Sequence, residues 1–510
     1  VSAVRLASID TPAEAARWLR AAGAVALVTD HRQAAPGHAF LAWPGARHDA
    51  RRHVAAALRA GSPACLVEAV GAAEVLEPAL AAAPYAARIA TCRHLKARAG
   101  AIAHEALGRP SERLHVVAST GTNGKTSTTW WIAEALAALG TRCGVVGTLG
   151  IGEPSRGLAN AALTTPDAVR LHTAFAGFVR DGVPASAIEA SSIGLAEHRL
   201  DGARIEVALF TNLTQDHLDY HGSMEAYWAA KRRLFDWPGL RAAVVNVDDP
   251  HGARLAAELS ARGDLDLWTV GQAGGAGRPR LAAADVRHGH GLAFVMRETG
   301  REPVPVAAPV VGQFNVLNLL TVAGALRALG HELPAVARAL GAVRPVPGRL
   351  QRVDGSDAGP AVVVDYAHTP DAVDQVLAAL RPLARERGGR LWCVIGCGGN
   401  RDAGKRPLMA ASAEAGADRV VLTSDNPRDE PPHLILAQMA TGLARPDEGV
   451  VIEDRREAIA YAIARAAAAD VVLLAGKGHE DYQEMAGQRW PFSDAAEARA
   501  ALQRRAGDRA

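Results

Sequence analysis

Cysteine is scarce in this chain: Cys65, Cys92, Cys143, Cys393 and Cys397 make neither a disulfide framework nor a CxxC metal pair. That excludes a small stapled secreted fold and fits a reducing compartment. Cys393 and Cys397 fall in or beside the apolar run LWCVIGCGG, where inert buried thiols are expected. Aromatic residues are only 5% of the chain, so little of the core is aromatic, and abundant Ala, Gly and Arg point to helices joined by glycine turns. An excess of one charge is also missing. A net charge of +2 offers no strong field to nucleic acid or to an anionic membrane, and Arg51-Arg52 and Arg232-Arg233 read as solvated helix faces. Near the N-terminus, Arg5, Asp10, Glu14 and Arg17 interrupt any apolar segment, so neither a signal peptide nor a membrane span is expected there. The expectation is a soluble cytoplasmic protein, a monomer that binds no nucleic acid.

At roughly 150 residues per domain, 510 residues point to about three domains, each with its own core. Residues 1–110 show short apolar strands (AVALVTD, AFLAW, ACLVE) between Ala-rich helical stretches and end near Gly108-Arg109-Pro110. The next segment, 111–345, opens with a strand-like run at Leu114 to Ala118, a glycine loop, and a helical stretch from Lys125 towards Leu139. It closes at the Pro- and Gly-rich VRPVPGR stretch. From 346 to 510, AVVVD, LWCVIG, RVVLT, GVVIE and DVVLLAG alternate with helical stretches, which predicts a mostly parallel sheet. The fold class is therefore α/β in three domains, with a central P-loop ATPase-like domain and a Rossmann-like C-terminal one. Ligands of such sheets gather beyond the carboxyl ends of strands, where Asp365 to His368, Gly398 to Asp402, Asp425 to Arg428 and Gly476 to Glu480 fall.

The loop TGTNGKTS spans Thr120 to Ser127. Gly121, Thr122, Asn123 and Gly124 let backbone N–H groups approach phosphate oxygens, and Lys125 supplies positive charge. Thr126 offers a hydroxyl to Mg²⁺ at the helix start, beside Ser127. Ser119 stands where the usual GxxxxGK[ST] spacing has its first glycine. Taken alone, the loop marks a nucleotide-phosphate site and suits a kinase as well as a ligase.

Together with IEASS (188–192), FTNLTQDHLDYHGSMEAYWAAKRRLF (210–235), GQFNVLN, PGRLQRV, DYAHTPD, GCGGNRDAGKRP, DNPR and GKGHE, the loop resembles the Mur ligase family over essentially the whole chain. The resemblance implies an ATP-dependent ligase that phosphorylates a peptide carboxylate and lets an amine capture the acyl phosphate. It implies one Mg²⁺ on Thr126 and Glu189 and a second on His217, with Lys231 carried as a carbamate that supports it. By their residue types alone, Glu189 and His217 read as a solvated carboxylate and a turn cap, and Lys231 as an ordinary helix-surface lysine. The resemblance further implies that Asn315 or Asn318 contacts adenine, and that Arg349, Asp365 and His368 reach the ribose and phosphates from a separate domain. Domain closure would then exclude water.

The implied partners are a UDP-linked muramoyl dipeptide and meso-diaminopimelate. The first would be held by the 1–110 domain and by Thr164, Thr165, Ser191, Glu197 and Arg199. Thr164-Thr165-Pro166-Asp167 also reads as a helix N-terminus with proline in the first turn. Asp425-Asn426-Pro427-Arg428 resembles the family's diaminopimelate-selecting version, and Arg428 can hold the extra carboxylate that lysine lacks. Such unpaired-group discrimination can reach about 10⁴ to 10⁵. Arg401, Gly476 and Glu480 would complete that pocket, with Glu480 taking an ammonium. The chain departs from the family pattern at His31, where Asp-Ser-Arg is usual and Asp30-His31-Arg32 is found, so uridine contacts near 29–48 differ in detail. It also has Ile193 where histidine, and Glu197 where glutamine, is common. A glutamate beside an anionic peptide must be neutralised or turned away.

Overall fold

A computed structural model describes residues 6–45, 48–76, 80, 85–161, 163–275, 278–288, 291–353 and 359–507. Arg5, and residues 46 and 47 of the 29–48 stretch, lie outside the described residues. Three main sheets follow one another along the chain. The first is five-stranded and parallel, in the order Ala7–Ser8, Ile89–Cys92, Cys65–Glu68, His38–Ala42, Ala26–Val28. Helices Pro12–Ala21 and Leu95–Ala106 share a core with this sheet through Ala15, Leu19, Leu95 and Ile102.

The second sheet has eleven strands. Its middle is parallel and carries His115–Thr120, flanked by Ala185–Glu189 and Val207–Phe210. Strands buried on both faces read as continuous apolar runs, and Val207–Phe210 and Ala242–Asn246 are fully buried. Both ends of the sheet turn antiparallel, through Gly150–Glu153 and Gly157–Ala159 on one side and Leu281–His288, Leu292–Glu298 and Val304–Ala308 on the other. Helices Lys125–Ala138 and Phe314–Ala328 pack on one face and share a core with Val244 and Val270. Phe314–Ala328 is buried on nearly every side, as a helix without a polar face must be.

The third sheet runs Gln351–Val353, Ala361–Asp365, Val471–Ala475, Leu391–Ile395, Arg419–Leu422, Val450–Val451. All its pairs are parallel except the first. The mostly parallel sheet expected of this region is present. A two-stranded hairpin, Tyr482–Met485 with Gln488–Pro491, follows its last parallel strand. All five cysteines are buried free thiols, and burial pushes Cys393 and Cys397 up to about 12. No helix among the described residues is long and apolar enough to cross a membrane.

Candidate active site

Strand His115–Thr120 delivers the glycine loop to the N-terminus of helix Lys125–Ala138. Gly124 caps that helix at φ 89°, and a Cβ there would stand 2.5 Å from Asn318 Oδ1, so glycine is required. Lys125 folds back over the loop, donating to Gly121 O at 3.0 Å and Thr122 O at 2.8 Å. Burial pushes its ammonium down in pKa, against the pull of Glu189 and Asp216. Asn123 is pinned by its backbone N–H, which donates to Asn212 Oδ1 at 2.9 Å.

Glu189 ends the neighbouring strand, 2% exposed. Its carboxylate accepts from Thr126 Oγ1 at 3.0 Å, from Thr148 N at 2.8 Å and from Thr148 Oγ1 at 3.1 Å. Among the described residues no group of three or more His, Cys, Asp or Glu side chains could hold a metal ion. The donor set at the loop is one carboxylate and two hydroxyls. That set fits a hard cation such as Mg²⁺, which takes few protein oxygens and fills its shell with water and phosphate.

Lys231, from helix Met224–Arg232, lies beneath the same loop. It is 1% exposed, with Nζ donating to Gly121 O at 2.6 Å and lying 4.4 Å from the Tyr227 ring centre. Burial and the nearby Lys125 push it well below the ordinary lysine range. An amine whose charge burial disfavours fits conversion to a carbamate; a solvated helix-surface lysine is not what the fold makes of it. His217 follows Asp216 on a left-handed turn at φ 54°, and burial lowers its imidazole to about 4.

Asp216 is a functional candidate that sequence reasoning passed over, although it adjoins His217 in TQDHLD. Burial raises its carboxyl, but His368, His217 and Lys405 outweigh that and hold it at about 2. His368 Nε2 and Lys405 Nζ, each 3.9 Å from it, come from the third-sheet region. Two further contacts cross the same gap. Asn123 Nδ2 donates to Asp371 Oδ2 at 2.8 Å, and Arg349 Nη2 to Thr126 Oγ1 at 3.2 Å. Arg349 also stacks 4.5 Å over Tyr366. Both Asp365 oxygens already accept backbone N–H groups, from Leu350 at 2.7 Å and Ala367 at 2.8 Å. Thr148 was also passed over, since nothing around GTLG marks it.

These residues line one cleft of about 1220 Å³. Its walls include Thr122 to Ser127, Thr164, Glu189, Ser191, His217, Lys231, Asn315, Asn318, Arg349, Asp365 and His368. They continue to Arg401, Asp425, Asn426, Arg428, Gly476 and Glu480. Thr165 sits behind the wall, its Oγ1 donating to Glu189 O at 2.6 Å, and Arg199 Nη1 donates to Thr165 O at 3.0 Å. Asp167, not the proline, caps helix Ala168–Arg180 and accepts from Arg170 N, so Pro166 precedes the cap instead of entering the first turn.

At the far end of the cleft, Arg428 sits at φ 54° with Nη1 donating to Gly399 O at 2.8 Å. The hairpin grips this segment. Glu484 O accepts from Arg428 N, and Gln483 Nε2 donates to Asp425 O at 2.7 Å. Pro427 contributes backbone packed against Gly399. Asp425 Oδ1 is buried without a hydrogen-bond partner, and Glu480 is raised by burial and by Asp425. Arg428, Asp425 and Glu480 line this end of the cleft together, and a guanidinium with two carboxylates suits a group bearing both an ammonium and a carboxylate.

His31 lies outside this cleft, on the first sheet's side, stacked on His53 with centroids 3.9 Å apart. Its neighbours Asp30 and Arg32 pair with each other, which holds Asp30 at about 2. Glu197 also stands off the cleft wall. Its carboxylate accepts from Lys96 Nζ and Tyr220 OH, each at 2.5 Å, which answers its charge.

The fold and this loop, with a cleft shared between two α/β units, define a nucleotide-dependent ligase architecture, and the chain belongs to the Mur ligase family. Residues 120–326 match the Mur ligase middle domain and 348–478 the Mur ligase glutamate ligase domain. It is similar to the UDP-N-acetylmuramoyl-L-alanyl-D-glutamate--2,6-diaminopimelate ligase of Acidovorax sp. (strain JS42), with 55% identity over 98% of this chain and 99% of that one. The protein of the same name from Pseudomonas aeruginosa is 46% identical over 93% of this chain and 94% of its own length. A solved structure with that name matches at TM-score 0.64 and 36% identity, covering 95% of each chain. The MurF ligase from Thermotoga maritima in complex with ADP shares the fold, with TM-score 0.65 and 17% identity over 96% of this chain and 99% of that one.

Proposed function

We propose that the chain ligates meso-2,6-diaminopimelate to UDP-N-acetylmuramoyl-L-alanyl-D-glutamate, with ATP converted to ADP and phosphate, in peptidoglycan synthesis. One observation carries this reading beyond the family: a single cleft joins the phosphate loop to an end lined by Arg428, Asp425 and Glu480. Diaminopimelate ends in an ammonium and a carboxylate, and lysine lacks the carboxylate. An Arg428 left unpaired in a buried pocket would penalise lysine.

The chemistry follows from the residues. The loop amides and Lys125 cradle the phosphates, and the γ-phosphoryl passes to the dipeptide carboxylate to give an acyl phosphate. Thr126 and Glu189 would hold one Mg²⁺, and His217 with carbamylated Lys231 a second. When bound, Mg²⁺ offsets the negative charge that gathers on the phosphoryl oxygens. The free α-amine of diaminopimelate then attacks the carbonyl carbon, the amide forms and phosphate leaves. Asn315 or Asn318 is assigned to adenine, and Arg349, Asp365 and His368 to the ribose and phosphate side. Thr164, Thr165, Ser191 and Arg199 are assigned to the dipeptide. Residues 1–110 would take the uridine end, 111–345 the nucleotide and 346–510 the amine, in a cytoplasmic monomer.

Phosphate release provides the test. It is expected only when ATP, the UDP-linked dipeptide and meso-diaminopimelate are all present, with lysine a poor substitute. Equal turnover with lysine would overturn the assigned specificity, and release without any amine would point to a kinase or hydrolase.

A further inference from the structure

Lys477 is fully buried and lies outside the cleft wall, yet it touches three members of the amine pocket. Strand Val471–Ala475 ends in Gly476-Lys477-Gly478. Both glycines have positive φ, 115° and 54°, and a Cβ on Gly476 would stand 2.7 Å from Asp425 Oδ2. This turn drives the lysine inward, where Nζ donates to Asn426 Oδ1 at 3.0 Å and to Glu480 Oε2 at 3.0 Å. It also lies 3.6 Å from Asp425 Oδ1.

Asn426 completes the arrangement. Its Oδ1 is held by Lys477 and by Glu484 N, which fixes the amide so that Nδ2 donates to Glu480 Oε2 at 2.8 Å. One oxygen of Glu480 therefore has two donors. The other, Oε1, has no hydrogen-bond partner among the described residues, and Glu480 lines the cleft.

We propose that Lys477 is the positioning residue of the amine pocket: it saturates Glu480 Oε2, orients Asn426, and so leaves Glu480 Oε1 as the acceptor for the substrate's distal ammonium. The role rests on the ligase function proposed above. It also sets charge. Two clustered carboxylates, Asp425 and Glu480, repel one another, and Lys477 Nζ lies within 3.6 Å of both. Burial and Asp425 push Glu480 up, while Lys477 and Asn426 hold it down. Tyr366, Tyr482 and Arg455 face it from neighbouring elements, and Arg428 lines the same cleft.

Steady-state kinetics of Lys477→Met in the full chain test this. The KM for meso-diaminopimelate should rise about ten-fold or more, with the KM values for ATP and UDP-dipeptide within about two-fold. Without the lysine, Glu480 protonates more readily, so the acid limb of kcat/KM for the amine should move to higher pH. In a Glu480→Gln background the same change should add nothing, because its route is gone. An unchanged amine KM, an equal loss in the Glu480→Gln background, or a rise in all three KM values would overturn the role. Should Lys477→Met fail to fold, Lys477→Gln, which keeps a donor but not the cation, is held to the same results. Wild-type protein that does not turn over diaminopimelate would overturn the function itself.

Discussion

Lys231 lies beneath the phosphate loop with Nζ 2.6 Å from Gly121 O and a second cation, Lys125, close enough to depress it. An ammonium there would repel the Mg²⁺ proposed for this site. The neutral amine that burial favours can instead attack CO₂, forming the N–C bond, losing a proton and becoming an anionic oxygen donor. Lys231→Met should then lower turnover by about a hundred-fold or more while leaving ATP affinity within a few-fold. Incubation with ¹³C-bicarbonate should give the wild type a carbamate carbon resonance that the variant lacks; a wild type without that resonance would refute the modification. Residue identity alone could not show this. In EAYWAAKRRLF the lysine looks solvated, because its burial comes from a loop more than a hundred positions away in sequence. The glycine loop was legible, since strand, turn and helix N-terminus are local. Lys477 and Asp216 were not, because Asn426 and Asp425 for the one, and His368 and Lys405 for the other, come from distant parts of the chain.

Among elements, the same contrast holds. Strand Ala361–Asp365 and helix Lys125–Ala138 were readable from apolar runs and caps. The antiparallel arm, Leu281–His288 to Val304–Ala308, was not, although it pairs with the neighbouring strand Asp266–Gln272 and then between consecutive strands. Helices Leu95–Ala106 and Ala168–Arg180 show how such contacts set pH behaviour. Where they meet, His104 and His172 rings lie 5.2 Å apart, and Gly100 lets Asp201 O approach so closely that any Cβ would collide with it. His172 is buried, donates from Nε2 to Asp201 O at 3.1 Å, and is pushed by burial to about 4. A folded pKa below the unfolded one means the unfolded chain binds the proton first. Its stabilising effect is therefore complete above about pH 6.5 and is lost as pH falls towards 4, by on the order of 3 kcal/mol. His172→Gln keeps a donor for Asp201 O but cannot titrate. Its Tm should fall less than that of the wild type between pH 7 and 5 in parallel scans, and identical slopes would exclude His172 as a source of the acid sensitivity.

Across the whole molecule, the third-sheet region reaches the phosphate loop through a few polar contacts: Asn123 with Asp371, Arg349 with Thr126, and His368 and Lys405 with Asp216. His217 and His368 are pushed down to about 4 by burial, so neither adds positive charge beside Asp216 at neutral pH. Val311 and Phe314 add apolar packing against the third-sheet core, and the polar contacts beside it can part when the cleft opens for turnover. An acyl phosphate is hydrolysed if water reaches it, so the quality of closure should appear as coupling between phosphate release and amide formation. Asp371 sits in the first turn of helix Pro370–Glu386 and meets Asn123 of the loop and the neighbouring Thr214, so Asp371→Ala loosens closure while sparing Lys125, Thr126 and Glu189. In the wild type, phosphate and amide should appear one for one. In Asp371→Ala, phosphate should exceed amide by about two-fold or more, and the excess should shrink as diaminopimelate approaches saturation, because a bound amine outcompetes water for the same carbonyl carbon. Measuring phosphate colorimetrically and the tripeptide by chromatography in one reaction decides the matter: if both fall together and stay equal, the Asn123–Asp371 contact does not guard the intermediate.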